Sequence, residues 1–207
     1  IPPQQKWPNP LPAHALLKGF TWSETDYVRF TYNAQGQVAQ RYAQWQSVQG
    51  DPSHIRKITS DFQYDPQHKL AEVKASDGPV TKYFYQGDRI EKVQQIIPGS
   101  GLVREEVTFT TSNGRIAQEN RRTVSLATGA ITTTRSVFGY DEKGNLNKVE
   151  SYMQPVNAPA DKPFEWYQTI LYSDFDHKMN TTSWMLRTPY LPQIRWQFNN
   201  PGKMTVL

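Results

Sequence analysis

The 207-residue sequence contains no cysteine. Disulfides, thiolate nucleophiles and thiolate metal sites are therefore excluded. No apolar run approaches the ~20 residues of a membrane-spanning helix. No helical periodicity extends beyond a turn or two, and no glycine-rich segment has phosphate-cradling spacing; Pro98-Gly99-Ser100-Gly101 reads as a hairpin tip. No serine stands in a nucleophile-elbow pattern. The net charge is only +4, with basic residues scattered as Arg56-Lys57, Arg121-Arg122 and single positions. No basic stripe interleaved with exposed aromatics is visible, so nucleic acid is not an expected partner. Neither a cofactor nor a metal is expected.

Aromatic residues make up 13% of the chain while mean hydropathy is −0.72. That combination suits a folded chain built from sheets with one wet face. A period-two pattern with a fixed turn recurs along the sequence. Phe138-Gly139-Tyr140-Asp141-Glu142-Lys143-Gly144-Asn145-Leu146 shows it best: aromatics two apart, a polar turn, then an apolar residue opening a second strand. Copies are Phe30-x-Tyr32 with Gly36 and Val38, Phe62-x-Tyr64 with His68 and Leu70, Tyr83-x-Tyr85 with Gly87 and Ile90, and Phe109-x-Thr111 with Gly114 and Ile116. Weaker ones lie around Tyr172 to Met179 and at Trp196-x-Phe198. The anchors Tyr32, Tyr64, Tyr85, Thr111, Tyr140, Tyr172 and Phe198 are 32, 21, 26, 29, 32 and 26 residues apart, a repeat period with outer loops of unequal length.

Alternation with aromatic and β-branched residues marks half-buried strands. Val28, Phe30 and Tyr32 share one face, Val107, Phe109 and Thr111 another copy of it, and Ser136, Phe138 and Tyr140 a third. The opposite face carries Arg29, Thr31, Gln63, Lys82, Thr108, Thr110 and Arg135, which is too polar for lipid. After the turn a second apolar residue often follows three on, as in Leu70/Val73, Ile90/Val93 and Leu146/Val149. A regular strand would place such a pair on opposite faces, so either a bulge intervenes or one residue packs over the hairpin end.

The phrase Tyr140 to Leu146 resembles the YD-type repeats of Rhs-like secreted proteins. The wider layout is similar to a group of lipid-anchored proteins of unknown function common in Bacteroidetes, which string such hairpins into a porin-like antiparallel meander. Tyr172-Ser-Asp174-Phe-Asp176-His-Lys178-Met-Asn180 and Asn199-Asn200-Pro201 resemble that group's closing phrases, with Thr181 where the group often has proline. The likeness spans roughly residues 25 to 207. It implies a location at the cell envelope, periplasmic or surface-exposed, in a trimmed form that has lost its signal and lipid-bearing cysteine. It brings no known active site.

The expected fold is all-β: a single antiparallel up-and-down meander of about 12–14 strands, curled into a soluble barrel-like or flattened barrel. Strands are predicted at 27–32, 37–46, 56–64, 69–76, 80–86, 89–97, 102–111, 115–126, 131–140, 145–153, 165–172, 179–187, 194–198 and 203–207. Residues 1–20 read as a proline-rich tether and lead-in, with a short helical turn over 13–19, and 21–207 as one domain. A round barrel of this many strands would be hollow, so it flattens like a sandwich, or a ligand sits inside, or a segment plugs it, the obvious plug being Trp184-Met185-Leu186 with Pro189-Tyr190-Leu191-Pro192.

Among titratable groups, Asp174 and Asp176 would share a face and, with His177, could hold a cation; turn polarity explains them more simply. Glu105 and Glu106 are adjacent and read as solvated. Tryptophans on β scaffolds pack cores or seat ligands, and the expected ligand-binding residues are Trp166, Trp184, Met185 and Tyr190, around the irregular region. The function expected is a non-enzymatic binding or interaction module of the envelope, acting as a monomer on an unnamed partner, an envelope protein or glycan. The alternative is a carrier of an apolar, lipid-like small molecule inside the sheet. Membrane contact would come only through the lost N-terminal anchor.

Overall fold

A computed structural model describes residues 16–48, 51–178, 180, 191 and 196–207. It contains thirteen antiparallel strands whose hydrogen-bonded order follows chain order without a crossover. The only helical element among the described residues is a 3-10 turn, Pro52–His54, capped by the Asp51 carboxylate on the Ser53 amide. None of their helices is long and apolar enough to cross a membrane. The chain divides into two compact units, Ile1–Val80 and Thr81–Leu207.

Unit 1 holds β1 (Gly19–Thr21), β2 (Tyr27–Tyr32), β3 (Val38–Gln46), β4 (Ile55–Tyr64) and β5 (Leu70–Ala75). Unit 2 holds β6 (Val80–Gln86) from its second residue, then β7 (Arg89–Ile96), β8 (Val103–Ser112), β9 (Arg115–Val124), β10 (Ile131–Tyr140), β11 (Leu146–Met153), β12 (Glu165–Ser173) and β13 (Lys203–Val206). β2 to β12 match the expected strands to within two residues. β1 was not expected: it pairs with β2, Phe20 facing Val28, and Leu16 to Lys18 before it form no helical turn. The strand expected at 194–198 is absent from its described part, and that at 179–187 lies outside the described residues apart from Asn180, which is in no strand.

The spacing of three after each turn has a common cause. In the β2–β3, β4–β5, β8–β9 and β10–β11 hairpins the register shifts beside the anchor residue, Tyr32, Tyr64, Thr111 and Tyr140. Tyr64 faces Leu70 while Gln63 faces Glu72, leaving Ala71 as a bulge residue. Asn147 is the equivalent between Leu146 and Lys148. The extra residue brings positions three apart onto one face. Leu70 and Val73, and Leu146 and Val149, are accordingly all buried.

Those residues join Val28, Phe30, Val38, Phe62, Tyr83, Ile90, Val93, Val107, Phe109, Ile116 and Phe138 on the buried faces. The turns follow from local chemistry. Asn33, Asp65 and Asp141 each take the amide four residues on through the side chain, and the residue before it has positive φ: Gly36, His68 and Gly144. His68 adopts the left-handed region at φ 63, where glycine stands in the other copies.

Successive hairpins are tied together by the anchor hydroxyls. Tyr64 donates to the Val38 carbonyl at 2.9 Å and Tyr140 to the Ile116 carbonyl at 2.9 Å. Both acceptors open the second strand of the preceding hairpin. Tyr32 donates to Leu17 at 2.6 Å, and Phe20, three residues beyond Leu17, packs against Phe30. Leu17 to Phe20 therefore occupy the place of a hairpin's second strand. Burial raises the pKa of Tyr32, and burial together with the nearby Tyr32 raises that of Tyr64 further.

Candidate functional site

Aromatic and cationic residues of unit 2 form a lateral row on the face opposite the core. Direct cross-strand pairs link Lys92 to Thr108, Thr108 to Asn120, Asn120 to Arg135, Arg135 to Tyr152 and Tyr152 to Trp166. Each alternates with a buried neighbour: Val93, Val107, Glu119, Ser136 or Ser151 for the first five. At the near end the Lys92 ammonium lies 4.8 Å from the Phe84 ring centroid. With neighbouring strands ~4.8 Å apart, the row from Phe84 to Trp166 extends about 29 Å.

The far end of the row is the most constructed part. Arg135 stacks its guanidinium 4.1 Å from the Phe164 centroid and donates through Nε to Asn120 Oδ1 at 3.1 Å. Asn120 also accepts from Gln118 Nε2 at 3.3 Å. No described acidic side chain pairs with Arg135, and only its Nε is engaged by a described acceptor. Trp166 is 55% exposed, and its indole N–H donates to Thr169 Oγ1 at 3.0 Å. A bulge at Tyr167, between the Ser151–Gln168 and Tyr152–Trp166 pairs, turns Trp166 and Thr169 to the same side. A ring held at the edge of a sheet with one face open is suited to stacking.

Of the four residues expected to bind a ligand, Trp166 is on this outer face, half-exposed, and does not line the core. Trp184, Met185 and Tyr190 lie outside the described residues. His54 is exposed and its Nδ1 lies 2.6 Å from Asp51 Oδ2. Asp176 is engaged by Asn200: its Oδ1 accepts the Asn200 amide at 3.0 Å, its Oδ2 the side-chain NH₂ at 3.0 Å, and its own N–H donates to the Asn200 carbonyl. The Asn200 side chain, with further backbone donors, holds the Asp176 carboxyl below its usual range. Turn polarity is thus the structural role of Asp176.

Glu105 requires a correction. It is on the buried face, with its carboxylate 2.8 Å from Arg121 Nη1, while Arg121 Nη2 reaches Glu119 at 3.1 Å. Burial alone would lower the Arg121 pKa, but the two carboxylates outweigh it and raise it. Glu119 stands three residues after Ile116, where Leu70 and Leu146 are followed by valine. The valine-to-glutamate departure from the repeat was the available signal. Glu106, its neighbour, faces the other way and accepts from Gln94 at 2.6 Å.

A second buried polar centre, Asn145, closes the unit. Its Oδ1 accepts the Phe198 and Asn199 amides at 2.8 Å each, its amide N–H donates to Asp141 Oδ1, and the Leu146 amide donates to the Trp196 carbonyl at 2.7 Å. Trp196 thereby packs its ring 5.1 Å from Phe138 on the core face. At the same turn Arg115 lies over Tyr140, against Gly144, where any side chain would meet the guanidinium.

No family model matches this chain, and no curated protein matches it. Among solved structures, the chain is similar to "TcdB2-TccC3-TEV" (13% identity, 72% of this chain, 9% of that one, TM-score 0.34) and to "TcdB2-TccC3-Cdc42" (14%, 76%, 9%, 0.34). The third, "TcdB2-TccC3 without hypervariable C-terminal region", is 15% identical over 72% of this chain and 9% of that one, also at 0.34. This chain thus spans about a tenth of the length of those structures.

Proposed function

We propose that this chain is a non-enzymatic interaction module of the cell envelope that holds a glycan along the outer face of unit 2. The observation that carries the reading is the row from Phe84 to Trp166. Sugar rings have apolar faces and hydroxyl rims. Phe84 and Trp166 supply surfaces for the faces, and Thr108, Asn120 and the Arg135 guanidinium supply hydrogen-bonding groups for the rims. The non-enzymatic part rests on what the carboxylates already hold: Asp176 holds Asn200, and Glu105 and Glu119 hold Arg121. The envelope location rests on the resemblance of the hairpin phrases to lipid-anchored proteins. Of the residues expected for a carrier, Trp166 is on the outer face, and Trp184, Met185 and Tyr190 lie outside the described residues.

The test is titration calorimetry with polysaccharide extracted from the envelope of the source cells. Wild-type protein is expected to bind saturably, and Trp166→Ala to weaken binding about tenfold, the equivalent of one good aromatic contact. No saturable heat with any envelope polysaccharide would refute the glycan reading.

A further inference from the structure

We propose that the glycan held along the outer face of unit 2 is acidic, with its carboxylates taken by Arg135 and Lys92. This inference rests on the glycan reading and narrows its ligand class. The row from Phe84 to Trp166 contains two cations and no carboxylate: between its aromatic ends stand Lys92, Thr108, Asn120, Arg135 and Tyr152. Hydroxyl and amide groups are enough to hold the rim of a neutral sugar. A full positive charge adds most when the group it meets is an anion, because charge-assisted hydrogen bonds are about twice as strong as neutral ones.

The outward carboxylates on either side of the row are already engaged. On one side Glu106 faces Arg122 across β8 and β9 and accepts from Gln94 Nε2 at 2.6 Å. On the other side Glu150 pairs with the Lys148 ammonium at 2.8 Å. Apart from Glu105, Glu119 and Arg121 on the core face, strands β7 to β12 carry seven basic and four acidic residues. Asp161 and Lys162, in the loop before Phe164, cancel. The strands that carry the row therefore have an excess of three positive charges, which is complementary to a polyanion.

Arg135 is oriented for a carboxylate. Its guanidinium lies 4.1 Å from the Phe164 centroid, its Nε is bound to Asn120 Oδ1, and among the described residues no acceptor engages Nη1 or Nη2. Those two nitrogens present parallel N–H bonds that match the two oxygens of a carboxylate. Lys92 supplies a point charge nearer the other end, its ammonium 4.8 Å from the Phe84 centroid. β7 and β10 are three strand spacings apart, about 14 Å. That exceeds one sugar ring, so the two cations would meet carboxylates on different sugars of one chain. Each cation also has a ring near it on which its sugar can stack: Phe84 lies against Lys92, and Trp166 is two strands from Arg135.

Calorimetry with one probe in two forms tests this: polysaccharide extracted from the envelope of the source cells, and the same material after its carboxyl groups are reduced to primary alcohols. Wild-type protein is expected to bind the native form and to lose more than about tenfold in affinity for the reduced one. Raising salt from about 0.05 to about 0.5 M should weaken binding of the native form by more than about tenfold. Arg135→Gln and Lys92→Gln should each lower affinity for the native form about tenfold, with a thermal melt of each as the check on folding. Lys143→Gln removes the same charge from the β10–β11 turn, off the row, and should change affinity by less than about twofold. Equal binding of the native and reduced forms would overturn the acidic ligand and leave the glycan reading standing, whereas binding of neither form would refute both. A loss in Lys143→Gln as large as that in Arg135→Gln would also overturn the proposal, because net charge and not the row would then attract the polymer.

Discussion

At the scale of single residues, the anchor tyrosines do two things at once: the ring fills the buried face and the hydroxyl reaches the preceding hairpin. Tyr64→Phe removes the bond to Val38 and is expected to cost about 1 kcal/mol in urea melts at neutral pH. The same variant changes the alkaline limb. The folded Tyr64 has a pKa above its ordinary 10.0, mainly through burial. The stability tied to its neutral form is therefore complete below pH 10 and falls as pH rises past that value. Tyr64→Phe should flatten that decline, and an unaltered alkaline limb would show that the phenol is not buried. Asp176 behaves in the opposite sense. Its pKa is lowered, so its contribution is complete above the ordinary 3.8 and is lost as pH falls below it. The stability gap between wild type and Asp176→Asn should close in that acid range.

At the scale of the hairpin, the bulge is what makes an aromatic-to-turn-to-leucine phrase work as a repeat. Deleting Ala117, the bulge residue between Ile116 and Gln118, would force either Ile116 or Glu119 off the buried face. The expected loss is about 3 kcal/mol or more, well beyond what Ala117→Ser would cost, with hydrogen exchange rising in β8 and β9 first. Equal stability of the deletion and the wild type would mean that the register can slide. The hairpin level was also where the sequence was most legible. Alternation, turn chemistry and the spacing of three are all local, and each depends on residues within about a dozen positions of one another. His68 could be placed in a glycine's position from spacing alone, and its φ agrees. What was not local was not legible. Leu17 to Phe20 lack a turn and an aromatic pair of their own, so their strand is visible only through Tyr32 and Phe30. Asn145 looks like ordinary turn polarity until Phe198 and Asn199 arrive from more than fifty residues away. Glu105 reads as solvated because its partner, Arg121, is across a strand pair whose register shifts once on the way.

At the scale of the whole molecule, the buried face of the sheet carries stability and the outer face carries the row proposed to bind a glycan. The core face is tested by Phe138→Ala, which removes a buried ring touching Trp196 and is expected to cost about 3 kcal/mol or more. Thr110→Ala, exposed on the opposite face, should cost less than about 0.5 kcal/mol. The outer face is where the sequence reading was thinnest. Arg135 and Trp166 could each be singled out from the sequence, but their alignment with Lys92, Asn120 and Tyr152 depends on five successive strand registers. The most direct test of the proposed function is therefore a pair of calorimetric titrations with envelope polysaccharide, one for Trp166→Ala and one for Phe84→Ala, each beside a thermal melt. The row predicts that both lose about tenfold or more in affinity while their melting temperatures stay within about two degrees of wild type. Undiminished binding in both variants would contradict it.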